Sequence, residues 1–542
     1  MRALRHVGVA ACLLFFVLAA GSSIRTPGLY YDEVLFVNAA LGNSSGPFIV
    51  RSVLGVPVML MRYIGALKSY IYYPIFRLFG VSPGTIRWPV IIISAGTLLL
   101  AYALARQFLP AGYSVAVLAL AASDPSFIGL TKLDYGPVVI GAFLRVAAVL
   151  AFLRFMRTGG RLAAVALVMA IGLGLFDKLL FIWFVNALIV AALIVFRHEL
   201  AATARSCPRR VLTTATILLV GVGAAAVMLI APLMIAPLLG RTYEPFLPHM
   251  RTILAMTKRV MDGYALAWTM TDREVLVRSW TWIAVLVAIG LASLPLARGR
   301  AVRQPVAFFL VLFAATLLQL FLTWQARAVH HTISLWPWHL LLIGLVARDL
   351  QAWGDTRTRW MRGALVGVFL VLVAGQVRST MSLVAAHRFE RGFHPNWDPA
   401  IYQLSAALER EYGPTRLIMS TDWGLHTPLH ALAALTSRDR YRDAWLPLMT
   451  IHRWSPLRRR EWALQLAARD TLVLTFTDRR ARFTTARRNL FELADEQGLT
   501  NVRLRSIAGA DGRALYEIHR FERPAVDAVR PRSASVGEGS GG

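Results

Sequence analysis

The sequence predicts an α-helical, polytopic membrane protein with about eleven transmembrane helices and a soluble α/β domain near its C-terminal end. Three observations lead there. Of the 542 residues, 56% are hydrophobic and 16% charged, against about 25% charged in an ordinary soluble domain. The apolar residues fall in runs close to the roughly 20 residues that a span requires, and short Arg-rich loops separate the runs. From residue 383 onward the polarity becomes mixed and the runs stop.

The formal net charge is +28, carried almost entirely by Arg; the lysines are Lys68, Lys132, Lys178 and Lys258. A large positive charge is a nucleic-acid signature in a soluble chain. Here many of the bases lie in loops between apolar runs, which fits membrane topology, and no nucleic-acid partner is expected. Cys12 lies in the first apolar run and Cys207 in a basic loop. Two cysteines on such unlike segments argue against a structural disulfide or a zinc site.

The first apolar run, 7–24, follows Arg2 and Arg5 and reads as an uncleaved anchor, since more spans follow it. Further spans are expected at 86–106, 111–123, 136–156, 162–177, 179–197, 211–239, 280–297, 305–324, 332–347 and 363–382. With the N-terminus in the cytoplasm, the loops after Arg106, at 154–161, 197–210, 298–303 and 348–362 fall inside, and they are short and Arg-rich as the positive-inside rule asks. The longer loops, 25–84, 124–135 and 240–279, then face outward together with a tight turn at Asp177-Lys178 and the short loop 325–331. This gives a membrane domain over 1–382, an extracytoplasmic α/β domain over 383–523, and a disordered tail over 524–542 rich in Gly, Ser and Pro. In the soluble part, 401–411 and 486–497 read as helices, and 416–420, 471–476 and 514–518 as strands. The 240–279 loop reads partly as an amphipathic surface helix.

The first outward loop opens with Tyr31-Asp32-Glu33, directly after a span. A carboxylate at the membrane surface can take a proton from an acceptor hydroxyl; the plainer reading is a pair of acids suited to a helix N-terminus. Arg62 and Lys68 in the same loop are cations at head-group depth and can hold a lipid phosphate, or simply anchor the interface. Asp134 lies in the second outward loop, in Lys132-Leu133-Asp134-Tyr135-Gly136. His330-His331 stands at the outer end of a later span. The pair is read as contacting a phosphate, as ligating a divalent ion with Asp32 or Asp134, or as capping; neighbours about 100° apart on a helix make a poor chelate. Arg145 lies well inside a span, where an Arg is costly and usually faces a bundle interior or a wet cavity. Asp177-Lys178 reads as a local ion pair.

The acidic pair after the first span, Lys68 before Tyr70-Ile71-Tyr72-Tyr73, Leu78-Phe79-Gly80-Val81-Ser82, the opening Arg87-Trp88-Pro89 of the second span, and Gly172-Leu173 to Lys178 together resemble the GT-C superfamily of membrane glycosyltransferases. Within it, the chain is most similar to protein O-mannosyltransferases and the aminoarabinose transferases of lipid A. The resemblance covers residues 1–200. It implies transfer of a sugar from a polyprenyl-phosphate donor to a lipid, glycan or protein acceptor at the extracytoplasmic face of the plasma membrane. It implies Asp32 as catalytic base, Glu33 as its acidic partner, Asp134 as the second acid, and Lys68 as the phosphate contact; Arg62, His330 and His331, read from the residues themselves, are the further candidates for that phosphate. No organic cofactor is implied and no metal set is legible, although a divalent cation stays open. The chain departs from the pattern after Lys68, at Lys132–Gly136, and at Arg327-Ala328-Val329-His330-His331. The departures bear on donor and acceptor more than on reaction class. Two other readings are a transporter of a lipid-linked or anionic substrate, favoured by Arg145, and a non-catalytic scaffold with an external binding domain.

Overall fold

A computed structural model describes residues 2–42, 49–206, 211, 213, 217, 245–271, 273, 276–293, 300–324, 326–353, 358–389, 392–413, 416–433, 435–478, 480–481 and 483–523. The span expected at 211–239 and the tail at 524–542 therefore lie almost wholly outside the described residues. The chain divides into two compact units, 1–402 and 403–542. The boundary anticipated at 382/383 falls inside the helix Thr358–Arg388, so the division comes twenty residues later than the polarity change suggests. Residues near a span's outer end are as polar as a soluble domain, and composition alone does not separate the two.

The first unit is helical and crosses a membrane several times. Among the described residues five helices are long and apolar enough to span: Pro83–Ala105, Val139–Thr158, Arg303–Leu322, Val329–Ala352 and Arg359–Arg388. Two bent pairs, Ala111–Ser123 with Pro125–Lys132 and Leu179–Val195 with Arg197–Thr203, bring the number to seven if each is one span. Among the described residues this is fewer than the eleven expected; the run at 211–239 lies almost wholly outside them, and the run at 162–177 yields a helix of 17 residues, Arg161–Asp177. The run at 111–123 bends by 53° into the next helix. The run at 280–297 yields a helix of 12 residues, Thr281–Ala292. Arg5–Gly21 is apolar but short of a full span. The helix Thr358–Arg388 exposes Val366, Val368, Leu370 and Val371, as a lipid-facing surface does.

The helices that shape the site are α1 (Arg2–Gly21), α2 (Tyr31–Ala40), α3 (Leu67–Phe79), α4 (Pro83–Ala105), α5 (Ala111–Ser123), α6 (Pro125–Lys132), α7 (Val139–Thr158), α8 (Arg161–Asp177) and α9 (Ile182–Val195). Their ends are set by local chemistry. Ser82 caps α4 in a reciprocal box with Thr85, and Asp124 caps α6 through the Ser126 and Phe127 amides. Inside the bundle, Phe127 of α6 stacks on Trp336 with centroids 3.9 Å apart.

Between α2 and α3 the chain builds a feature not expected from the sequence, a three-stranded antiparallel sheet of β1 (Arg51–Val53), β2 (Val56–Met61) and β3 (Ile64–Gly65). Leu54 and Gly55, with φ of 50° and 78°, close the β1–β2 hairpin; a two-residue loop with both φ positive matches the right-handed strand twist. The strands are short and β1 is exposed throughout, so they leave little hydrophobic signal.

The second unit is a mixed α/β domain, as expected. Its five strands, β4 (Leu417–Ser420), β5 (Tyr441–Asp443), β6 (Thr471–Phe476), β7 (Thr500–Ala508) and β8 (Ala514–Glu522), lie in the order β5-β4-β6-β8-β7. β4 runs parallel to β5 and β6, while β8 is antiparallel to β6 and β7. β6 is buried at every position, which suits a central strand covered on both faces. The helices Pro456–Leu466 and Thr484–Glu496 close one face through Leu466, Leu490 and Leu493 against Met419 and Val473.

Candidate functional site

Apart from Arg62, the charged residues singled out in the sequence lie on or beside α2, α3, α7 and α8. Asp32 and Glu33 occupy the first turn of α2, after Tyr30 as N-cap; no side chain caps the helix. Negative charge there is favoured by the helix dipole. Asn38 apart, the rest of α2 is apolar and buried, with Val34, Leu35, Phe36 and Val37 almost fully enclosed, which fixes the helix inside the fold and leaves its first turn at the site. Of Asp32, Glu33, Asp134 and Asp177, Asp32 alone is part-exposed.

Glu33 is fully engaged. Arg87 of α4 holds it in a bidentate pair, Nε to Oε1 at 2.6 Å and Nη2 to Oε2 at 2.9 Å, and donates its Nη1 to the Ile24 carbonyl at 2.8 Å. This fork pins the start of α2 to α4 and to the exit of α1.

Lys68, in the first turn of α3, pairs with Asp134. Its ammonium also lies 3.9 Å from the Phe36 ring centroid, a cation–π contact. The other Asp134 oxygen accepts from the Val138 and Val139 amides at 2.8 and 2.9 Å, satisfying donors that a helix start leaves open. Asp134 itself has φ of 42°.

The unusual Lys132–Gly136 stretch acquires a reason residue by residue. Lys132 donates to the Ser23 carbonyl at 2.6 Å, tying α6 to the exit of α1. Tyr135 packs edge-on to His330, 4.7 Å between centroids. Gly136 has φ of 68°, and a Cβ there would lie 2.3 Å from the His330 ring, so only glycine meets both demands. Its carbonyl accepts from Lys178.

Lys178 and Asp177 do not form the local pair read from the sequence. Lys178 turns to Gly136, and its backbone bridges to Ile64 of β3 while Leu179 N donates to Tyr63 O at 2.9 Å. The small sheet thus anchors the turn after α8. Burial lowers the Lys178 ammonium to about 8, against the pull of Asp32, Asp177 and Asp134. Asp177 is 1% exposed and neither carboxylate oxygen has a partner among the described residues.

Asp177 and Lys178 line a cavity of about 40 Å³ together with Arg145, His330 and His331. Arg145 is buried in α7, and its Nε and Nη2 lack partners among the described residues. The two histidines sit on a single helical turn, Val329–Thr332, with rings 4.1 Å apart, and the Nδ1 of each has no partner among the described residues. Arg62 stands apart: it is exposed between β2 and β3. Among the described residues no group of three or more His, Cys, Asp or Glu side chains is placed to hold a metal ion.

An aromatic wall flanks Tyr135 and was not anticipated. Tyr30 stacks on Trp397 at 3.9 Å, and Trp268 meets Tyr135 at 4.9 Å and Trp397 at 5.1 Å. Gly28 N donates to Trp397 O at 2.6 Å, and a Cβ on Gly28 would lie 2.3 Å from Asp398 O. The contacts of Gly28 and Tyr30 join parts of the chain over 360 residues apart, which no local pattern reveals.

No protein-family model and no curated protein matches this chain. Solved structures do. ArnT from Cupriavidus metallidurans in the apo state aligns with a TM-score of 0.58 at 11% identity, covering 95% of this chain and 98% of that one. The same protein bound to undecaprenyl phosphate aligns at 0.53 and 11% identity, covering 94% and 97%. The Archaeoglobus fulgidus oligosaccharyltransferase in the apo form aligns at 0.54 and 12% identity, covering 88% of this chain and 70% of that one. At such identities the likeness speaks for the fold: this multi-span membrane protein shares, over nearly its full length, the GT-C fold of these membrane glycosyltransferases.

Proposed function

We propose that the protein is an inverting glycosyltransferase that moves a sugar from a polyprenyl-phosphate donor to a lipid, glycan or protein acceptor at the extracytoplasmic face. The carrying observation is the first turn of α2. There, Asp32 is part-exposed while Glu33, Asp134 and Asp177 are buried beside it, and its charge is felt by Lys178. The shared fold supports the same class, since one of the matching structures holds undecaprenyl phosphate.

In this reading Asp32 accepts the proton of the acceptor hydroxyl. The freed oxygen attacks the anomeric carbon, the bond from that carbon to the phosphate oxygen breaks, and polyprenyl phosphate leaves with the electron pair. Lys178 and His330 face the leaving phosphate and stabilise its growing charge. Lys68 serves the site through Asp134, by holding the start of α7. Glu33 holds Asp32 in place through Arg87. His331 supports His330, and Arg62 is an outlying cation for the same phosphate. The 1–402 unit carries the chemistry, and the C-terminal domain contacts acceptor or lipid from outside.

The test is a glycolipid and glycoprotein profile of a deletion strain complemented with wild type or with Asp32→Asn. Restoration by wild type and not by an equally abundant Asp32→Asn protein is the expected result. A profile unchanged by deletion, or restored equally by both, overturns the assignment.

A further inference from the structure

The cavity lined by Arg145 and Asp177 holds two opposite charges that do not meet each other. Arg145 is 7% exposed and Asp177 1%. Two guanidinium nitrogens and both carboxylate oxygens are without partners among the described residues. Unsatisfied charged groups are among the costliest features a fold can bury, and they persist where a ligand completes them. The arrangement around them is built rather than incidental. Gly141, one turn before Arg145 on α7, gives the guanidinium room: a Cβ there would lie 3.3 Å from Arg145 Nη1. Lys178, which also lines the cavity, is drawn off to the Gly136 carbonyl and leaves Asp177 open.

The chemistry of the missing partner follows from what each group can do. A guanidinium only donates hydrogen bonds and an ionised carboxylate only accepts them. An anion in the cavity would satisfy Arg145 and stand against Asp177. An ammonium would satisfy Asp177 and stand against Arg145 and Lys178. A hydroxyl accepts from one and donates to the other, and a vicinal pair does so twice. Leu180, Phe181 and Trp183 supply apolar and aromatic surface on the same cavity, which suits the C–H face of a sugar ring. At about 40 Å³, against the roughly 10–15 Å³ that holds one water on the same measure, the space takes a few water-sized groups, such as the hydroxyls along one edge of a sugar.

We infer that this cavity is the subsite for the donor sugar, with Arg145 and Asp177 holding ring hydroxyls from opposite sides. The inference rests on the transferase reading and deepens it: the donor is a neutral, hydroxylated sugar at the edge that enters, and the cavity reads which hydroxyls are present. It also accounts for Arg145 without a transport path.

The test uses the full chain in nanodiscs and binding of two kinds of probe. One is undecaprenyl phosphate; the other is undecaprenyl phosphate carrying mannose, glucose or arabinose. Wild type is expected to bind at least one glycosylated form tenfold or more tighter than the bare phosphate. Arg145→Gln and Asp177→Asn should each remove that preference and leave bare-phosphate binding unchanged, which also reports that the variants are folded. A deoxy series on the preferred sugar, read on the unaltered chain, should find a hydroxyl whose loss costs wild type the preference. Equal wild-type binding of bare and glycosylated forms, or equal weakening of both by the variants, overturns the subsite while leaving the transferase assignment standing. Failure of wild type to bind either form overturns the assignment itself.

Discussion

Lys68 with Asp134 and Arg145 with Asp177 are the same ingredients, a buried cation and a buried carboxylate, in opposite states. The first pair is closed: it is ion-paired, backed by Phe36, and its spare carboxylate oxygen caps α7. The second is open, with neither member satisfied by the described residues. Glu33 with Arg87 belongs with the first. Closed pairs locate helices; open ones wait for a ligand. Asp32 differs from both in being part-exposed, at the head of α2.

The contrast breaks most sharply if a closed pair is cut. Asp134→Ala strands the Lys68 ammonium and uncaps α7, and should cost about 3–5 kcal/mol of stability, read as a lowered unfolding midpoint in detergent. Replacing both partners with apolar residues should recover much of the loss; a destabilisation as large as the single change would mean that the pair itself is not what matters. Next comes Asp32→Asn, expected to slow transfer about 100-fold or more while the unfolding midpoint stays at the wild-type value. Gly136→Ala should cost roughly 1–3 kcal/mol, because the new Cβ meets the His330 ring from a backbone with φ of 68°. The loss should be visible both in stability and in weakened donor binding.

A smaller effect concerns pH. Lys178, lowered by burial to about 8, serves the phosphate only when charged. The turnover of free enzyme and donor, kcat/KM, should therefore fall as pH rises through about 8, and Lys178→Arg should remove that fall. The stability sign is the reverse. The unfolded chain holds this proton up to about 10.5 and the folded one only to about 8, so the penalty of the buried charge is present below that window and lifts across it.

The smallest effect lies in the C-terminal domain. There burial pushes the Asp422 carboxyl up to about 7, while its bond from Phe476 N acts in the other direction. The folded value exceeds the ordinary 3.8, so stability from this group is present below that value and is lost as pH rises through about 7. Asp422→Asn should flatten the difference in amide exchange of β4 and β6 between pH 5 and 8, after correction for intrinsic rates.

Much of this was legible in the sequence, in proportion to how local each signal was. The strand Thr471–Phe476 is rich in apolar and β-branched residues between polar flanks, and it folds where it was read. β5, three residues long, and the short strands of the β1–β3 sheet carry too little pattern to stand out. The order of acids and bases along the loops singled out Glu33, Lys68, Asp134 and Asp177, which the fold buries. Their roles did not follow from order. Glu33 and Arg87 are 54 residues apart, and Lys68 and Asp134 are 66 apart, so satisfaction by a distant partner cannot be seen from either position. Arg145 looked like an isolated expense and Asp177 like half of a local pair; the fold draws Lys178 away to Gly136 and leaves both facing one cavity.

The measurement closest to the central claim is release of undecaprenyl phosphate from its glycosylated form by the purified full chain, with membrane extract supplying the acceptor. Wild type should release it with at least one sugar, and Asp32→Asn, matched for folded protein, should do so about 100-fold more slowly or worse. Release at the wild-type rate by Asp32→Asn, or no release by wild type with any sugar offered, would contradict the account.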